Sequence, residues 1–88
     1  MTKTEFNDLH ESLCYGHDAE LAIADHRVFI EWNGDCIDLF HVVGDGGEKI
    51  CTICDNSKLD TVNLLFDTLI FDKTLNNHYD EIEIVDIE

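Results

Sequence analysis

Two pairs of potential metal ligands occur in the sequence at the same spacing. Cys14 is followed three positions later by His17, and Cys51 is followed three positions later by Cys54. When such a pair lies in a tight turn, both side chains can reach one tetrahedral zinc ion. The alternative is ordinary structure, in which the cysteines are small buried hydrophobic residues and His17 caps the end of a helix. The remaining histidines have no partner at this spacing and are predicted to be turn, surface or partly buried residues: His10, His26, His41 and His78.

Catalysis is a third use of a cysteine near a histidine. A nucleophilic cysteine needs a thiol pKa below the ordinary value, and a net charge of −15 disfavours the thiolate. The chain contains no glycine-rich phosphate loop, no nucleophile elbow and no HExxH motif. We therefore predict that the protein is not an enzyme.

The charge of the chain limits its partners. Among 88 residues, 20 are Asp or Glu and 5 are Lys or Arg. Nucleic acids and anionic lipids are bound through lysines and arginines, so we expect direct binding to neither. A strongly basic protein surface, typical of nucleic-acid-binding proteins, would attract this chain. No apolar stretch has the length of a signal peptide or a membrane span, which predicts a cytoplasmic location.

Local patterns in the first two thirds of the chain predict a helix and four strands. Thr2 and Glu5 have the spacing of a capping box, and apolar residues follow at helical intervals. The apolar period then changes to two, and Asn33 with Gly34 has the composition of a type I′ hairpin turn. Strands joined by such short turns form an antiparallel meander. The predicted elements are a helix over 3–14 and strands over 19–24, 28–32, 36–43 and 48–53.

The last third of the chain returns to a helical pattern. Ser57 and Asp60 resemble a capping box, and one or two further helical turns are predicted over 75–79. The tail, 80–88, alternates well enough for a strand at the sheet edge, with a helix extension as the alternative. Without proline, linker or repeat, the whole chain is predicted to be one α+β domain. The apolar stripe of the main helix consists of Leu59, Val62, Leu65, Phe66, Leu69 and Ile70.

The antiparallel order brings the potential ligands to one end of the predicted sheet. The first and third strands start there, and the second and fourth strands end there. In a reducing compartment, cysteines are expected to be thiols or metal ligands in preference to disulfides. We predict one structural zinc ion, which would supply folding energy that a small domain lacks. Its ligands would be Cys14, His17, Cys51 and Cys54, with Cys36 in reserve.

The C-terminal block has a composition of its own, LLFDTLIFDKTL over 64–75 and HYDEIEI over 78–84. With the helix and meander before it, this block resembles small acidic proteins of phages and prophages in Gram-positive bacteria. Several proteins of this size and element order are anti-CRISPR inhibitors of type II effector nucleases. The cysteines depart from the common pattern, and a metal-containing member would account for them. The resemblance therefore implies an inhibitor of a nuclease.

The charge and the resemblance imply the same mechanism. A type II CRISPR effector nuclease holds its guide and target in basic channels, so an acidic protein that occupies such a surface would block DNA loading without catalysis. The acids expected to bind the partner are those at exposed strand and tail positions: Asp35, Asp38, Asp45, Glu48, Asp80, Glu81 and Glu83.

Two other functions fit the sequence. The chain could be a small acidic interaction module that binds another host or phage protein through an apolar patch containing Phe29, Trp32 or Phe40. Salt separates the two binding modes, because electrostatic binding weakens with ionic strength and apolar binding does not. A metal-dependent enzyme would need an open coordination position and a pocket that 88 residues barely enclose.

Overall fold

The first helix is fixed at its start by the predicted capping box. The computed structural model describes all 88 residues. In α1 (Lys3–Cys14), the Thr2 hydroxyl accepts a hydrogen bond from the Glu5 N–H at 3.1 Å, and the Glu5 carboxylate accepts one from the Thr2 N–H at 2.8 Å. Hydrogen bonding from the Thr2 backbone lowers the pKa of Glu5. Leu9 and Leu13 lie on the buried side of the helix.

Four strands follow as the predicted antiparallel meander, and the α+β prediction is confirmed. At the turn between the second and third strands, Asn33 pairs with Cys36 and Gly34 has a φ of 65°. This is the left-handed conformation that an Asn-Gly turn adopts readily. The first turn has the same left-handed backbone without a glycine, at Ala24 and Asp25. The strands are β1 (Ala19–Ile23), β2 (His26–Asn33), β3 (Cys36–Val43) and β4 (Gly46–Cys54).

The tail forms a fifth strand at the sheet edge. β5 (Glu83–Ile87) pairs antiparallel with β1, which gives the strand order β4-β3-β2-β1-β5. A short helix, α3 (Leu75–His78), and a 3₁₀ turn (Tyr79–Glu81) lead into it. The amino group of Met1 donates a hydrogen bond to the Tyr79 carbonyl oxygen at 3.0 Å. The start of α1 is thereby tied to the segment that precedes β5.

The second long helix is shorter than its apolar stripe predicts. α2 (Lys58–Asp67) begins after its N-cap Ser57 and ends where Thr68 adopts an extended backbone. The chain then reverses through a tight turn that begins at Ile70. Leu69 is therefore 68 % exposed, although the stripe predicted it to be buried, whereas Ile70 is buried. None of the three helices is long and apolar enough to cross a membrane.

The helices cover one face of the sheet and leave the other uncovered. On the covered face, strand side chains are almost completely buried and pack with those of α1 and α2: Ala19, Leu21, Ile23, Val28, Ile30, Ile37, Leu39 and Ile53. Because side chains alternate along a strand, the residues between them face the other side. We call that side the open face, and in β2 and β3 it carries Arg27, Phe29, Glu31, Asp38, Phe40 and Val42.

Candidate functional site

The structure separates the two cysteines that the sequence pairs most closely. Cys51 and Cys54 lie within β4, not in a tight turn, and residues three apart on a strand face opposite sides. Cys54 forms a disulfide with Cys36, its direct cross-strand partner on the open face. Cys51 is a free thiol that pairs with Leu39 on the covered face. The structure therefore does not bring Cys51 and Cys54 to one ion, and it contradicts the expectation of a chain without disulfides.

The other two predicted ligands have local partners near the end of α1. The Cys14 Sγ atom lies 3.8 Å from His10 Nδ1. His17 Nδ1 donates a hydrogen bond to the Glu88 carbonyl oxygen at 2.8 Å and so ties the loop before β1 to the end of the chain. No group of three or more His, Cys, Asp or Glu side chains is arranged to hold a metal ion. Zinc remains a prediction that gains no support from the set Cys14, His17, Cys51 and Cys54.

Cys14 also begins a row of side chains that joins α1 to α2. The Nδ1 atom of His10 lies 3.8 Å from Cys14 Sγ, and its Nε2 atom lies 2.8 Å from Asn63 Oδ1. Thiol, imidazole and amide follow the order found in cysteine hydrolases. However, burial raises the pKa of the Cys14 thiol, and the thiol sits at the negative, C-terminal end of the α1 dipole. Both effects disfavour the thiolate, so we assign this row to packing between the helices.

A shallow groove of about 380 Å³ lies on the open face. Its apolar lining comes from Phe29 of β2 and Phe40 of β3, which are direct cross-strand partners, and from Val42. Glu31 and Asp45 add two carboxylates. Interfaces commonly combine an aromatic centre with a polar rim, and here the rim is acidic. The groove therefore suits a partner that presents an apolar side chain among basic ones.

The basic residues of the open face are each paired with an acid on the same face. Arg27 forms an ion pair with Glu20, and Lys49 Nζ lies 3.5 Å from Asp38 Oδ1. The two carboxylates that line the groove have no basic partner. The groove consequently has two carboxylates outside any ion pair, within a protein of net charge −15. A basic group nearby is the Lys49 ammonium, 6.0 Å from the centre of the Phe40 ring.

The acids predicted to bind a partner do not form one surface. Asp35 and Asp45 lie in the turns at the two ends of β3, and Glu48 lies in β4. Asp80 and Glu81 lie in the 3₁₀ turn, and Glu83 lies in β5. All six are exposed. Only Asp45 lines the groove, and Glu81 is paired with Lys73 at 3.3 Å. Glu31, the second acid of the groove, was missed because the sequence does not show which strand residues flank an uncovered surface.

Asp38 differs from the other predicted acids because it is only 5 % exposed. The Thr52 hydroxyl donates to its Oδ1 at 2.6 Å, and the Asn33 amide donates to its Oδ2 at 3.2 Å. The hydrogen bond from Thr52 has the largest effect on the pKa of Asp38 and lowers it. The hydrogen bond from Asn33 and the nearby Lys49 ammonium also lower this pKa, whereas burial raises it. The prediction that Asp38 is exposed is therefore wrong, because its carboxylate links β2, β3 and β4. Its part in binding a partner stays a prediction.

The predicted apolar patch loses one of its three members. Trp32 faces the helices, where its indole Nε1–H donates to the Leu13 carbonyl oxygen at 2.9 Å. Its backbone N–H donates to Asp18 Oδ1 at 2.9 Å. Phe29 and Phe40 remain together on the open face. The patch thus coincides with the groove, without the tryptophan.

Two histidines without a predicted role meet at the far end of the covered face. His26 Nδ1 and His41 Nε2 are 3.1 Å apart. The Phe71 ring stacks on His26 with centroids 4.0 Å apart and an interplanar angle of 17°. The Asn-Gly turn in the sequence could have predicted this contact, because counting residue pairs outward from the turn sets Val28 opposite His41. That register places His26 and His41 on the same face of neighbouring strands.

Comparisons with known proteins supply no relative for this chain. Neither a family model, nor a curated protein, nor a solved structure matches it.

Proposed function

We propose that the protein is a stoichiometric inhibitor that binds a basic, nucleic-acid-binding surface of another protein and blocks DNA loading. The proposed partner is a type II CRISPR effector nuclease, because the C-terminal block resembles small phage inhibitors of such enzymes and because these enzymes hold nucleic acid in basic channels. The observation that carries the proposal is a net charge of −15 together with an acidic groove on an uncovered sheet face. Neither catalysis nor contact with nucleic acid is part of it.

The open face supports binding because it presents an ordered surface. In the unbound protein, Phe29 of β2 and Phe40 of β3 are half-buried side by side on the open face. Side chains that are already restricted lose little conformational entropy on binding, which leaves more of the contact free energy for affinity. Aromatic residues of this kind are the usual centre of a binding surface. We therefore place the centre of the interface at the groove.

The charge supports fast and salt-dependent association. A protein with an excess of acids is attracted over long range to a basic channel, and such steering raises association rates by about 10-fold to 1,000-fold. The attraction is screened as the Debye length falls from about 10 Å at 0.1 M salt to about 3 Å at 1 M. Association with the nuclease should accordingly slow steeply as salt is added.

The direct test is DNA cleavage by a guide-loaded type II effector in the presence of increasing amounts of the protein. We expect inhibition to be complete near one equivalent, and to occur only when the protein is added before the DNA. Inhibition at far lower amounts would indicate an enzyme. Failure to inhibit any type II effector would reject this partner.

Two matched double variants test the location of the interface. Glu31→Lys with Asp45→Lys reverses the charge beside the groove, whereas Asp8→Lys with Glu11→Lys makes the same change in net charge on α1. We expect the groove variant to lower the association rate constant about tenfold or more at low salt, and the α1 variant to lower it much less. Equal effects would show that net charge alone acts. Asp80→Lys with Glu83→Lys tests the second acidic region in the same way.

The alternative is an interaction module that binds a different host or phage protein, and the aromatic pair of the groove favours it. Binding that persists at 1 M salt and is lost in Phe40→Ser would identify apolar contact as the main contribution. The electrostatic mechanism predicts instead that added salt weakens binding more than Phe40→Ser does.

A further inference from the structure

We propose that His26 and His41, together with Glu48, bind a divalent transition-metal ion that prefers imidazole ligands. These residues lie on the covered side of the sheet, at the end away from the Asn-Gly turn, and the groove does not include them. The inference is therefore independent of the proposed inhibition.

The two ring nitrogens already have nearly the spacing that a shared ion requires. His26 Nδ1 and His41 Nε2 are 3.1 Å apart. Two nitrogens at about 2.0–2.1 Å from one tetrahedral zinc ion are about 3.3 Å apart. One of these nitrogens carries the proton of the present hydrogen bond. On metal binding that proton moves to the other nitrogen of the same neutral ring, so both facing lone pairs become available without a change in charge.

Neighbouring aromatic packing holds the rings in place. Phe71 stacks on His26 and meets His41 edge-on, with centroids 4.9 Å apart and an angle of 67°. Phe71 itself is fixed in a turn of positive φ that follows the buried Ile70. Ligands held in this way need little reordering when an ion arrives, which favours binding.

Glu48 is placed to supply a third ligand. It is the direct cross-strand partner of His41, and such partners lie on the same face with Cβ atoms about 4.5–5.5 Å apart. Its side chain is exposed and has no ion-pair partner. The three side chains are not yet arranged around an ion in the structure, so binding requires rotation of Glu48. Two imidazoles and a carboxylate form a donor set that suits zinc, nickel or copper, and the negative charge of the protein attracts such cations.

The test is titration of metal-free protein with Zn²⁺ by calorimetry. We expect one ion per chain, and we expect His41→Gln to weaken binding at least about tenfold, since even loss of an outer-shell partner of a metal ligand costs that much. Glu48→Gln should weaken binding less than His41→Gln does. His17→Gln and Glu83→Gln, at other places on the surface, are matched controls that should leave the affinity unchanged.

Titration with Co²⁺ identifies the donor atoms. Binding by nitrogen and oxygen gives ligand-field bands without the near-ultraviolet thiolate band. The double variant Cys14→Ser with Cys51→Ser should still bind Co²⁺ and show the same ligand-field bands. A thiolate band, or Zn²⁺ affinity that survives both His41→Gln and His26→Gln in variants shown to be folded by circular dichroism, would overturn the proposal. Absence of Zn²⁺ binding by the unaltered protein would overturn it as well.

Discussion

The two faces of the sheet differ in what they bury and in what they leave exposed. On the covered face, side chains such as Leu21, Ile30 and Leu39 are fully buried and pack with α1 and α2. On the open face, Phe29 and Phe40 are half-buried and no helix lies over them. The covered face therefore provides most of the hydrophobic stabilisation, and changes on the open face are expected to leave the core intact.

One end of the open face is nevertheless held by specific bonds. The Cys36–Cys54 disulfide and the contact between Asp38 and Thr52 occupy strand pairs on the same face, two residues apart. They join β3 to β4, the edge strand that lies farthest from β5. Local cross-links therefore stabilise the open side of this edge, over which no helix lies, whereas Ile53 of β4 packs into the core on the covered side.

The contrast between the faces is tested most strongly by shortening one side chain on each face of the same strand, β3. Leu39→Ala creates a cavity in the covered face and should lower the free energy of unfolding by about 2–5 kcal/mol. Val42→Ala, on the open face of the same strand, should cost less than about 1 kcal/mol because its side chain is already partly in solvent. Denaturant unfolding measures both. Equal losses would show that the open face is also part of the core.

The disulfide gives the next largest effect. Replacing both partners by serine, Cys36→Ser with Cys54→Ser, should lower the free energy of unfolding by about 2–4 kcal/mol, because the bond closes a loop with a sequence separation of 18. Thiol titration of the unfolded protein should detect two free thiols before reduction and four after it. Four thiols before reduction would contradict the cross-link. Cys14→Ser with Cys51→Ser is the matched control for loss of two sulfur atoms.

Asp38 should make stability depend on pH in acid. Its folded-state pKa lies below the ordinary value of 3.8, so its carboxylate stabilises the fold above that pH, and this contribution is lost as the pH falls through the folded-state pKa. Asp38→Asn should flatten this part of the acid unfolding profile and have a smaller effect than Leu39→Ala at neutral pH. Asp35→Asn, the same change in the exposed neighbouring turn, is the control. An unchanged profile in Asp38→Asn would disprove the assignment.

The smallest effect on stability is expected at the groove. Glu31→Lys replaces an exposed side chain without an ion-pair partner and should change the free energy of unfolding by no more than about 0.5 kcal/mol. Thermal unfolding checks this. A loss of binding without a loss of stability would separate the two faces most clearly, whereas a large loss of stability would show that the open face is not a free surface.

Local sequence patterns determined much of this fold. The capping box of Thr2 and Glu5, the period of two in the strands, and the Asn33-Gly34 turn each depend on residues a few positions apart. Such patterns report the backbone conformation of their own segment directly. They were sufficient for the first helix and the antiparallel meander. At the tail they left a helix extension open beside the edge strand, and the pairing of β5 with β1 decided between them.

Only the tertiary structure decided which side chains meet and which face of the sheet stays uncovered. The Cys36–Cys54 bond and the His26–His41 pair join residues that are distant in sequence, and the burial of Asp38 depends on partners from two neighbouring strands. A shift of one residue in strand register would move every one of these side chains to the opposite face. Contacts of this kind depend on register and on where the helices pack, and no short segment of the sequence encodes either by itself.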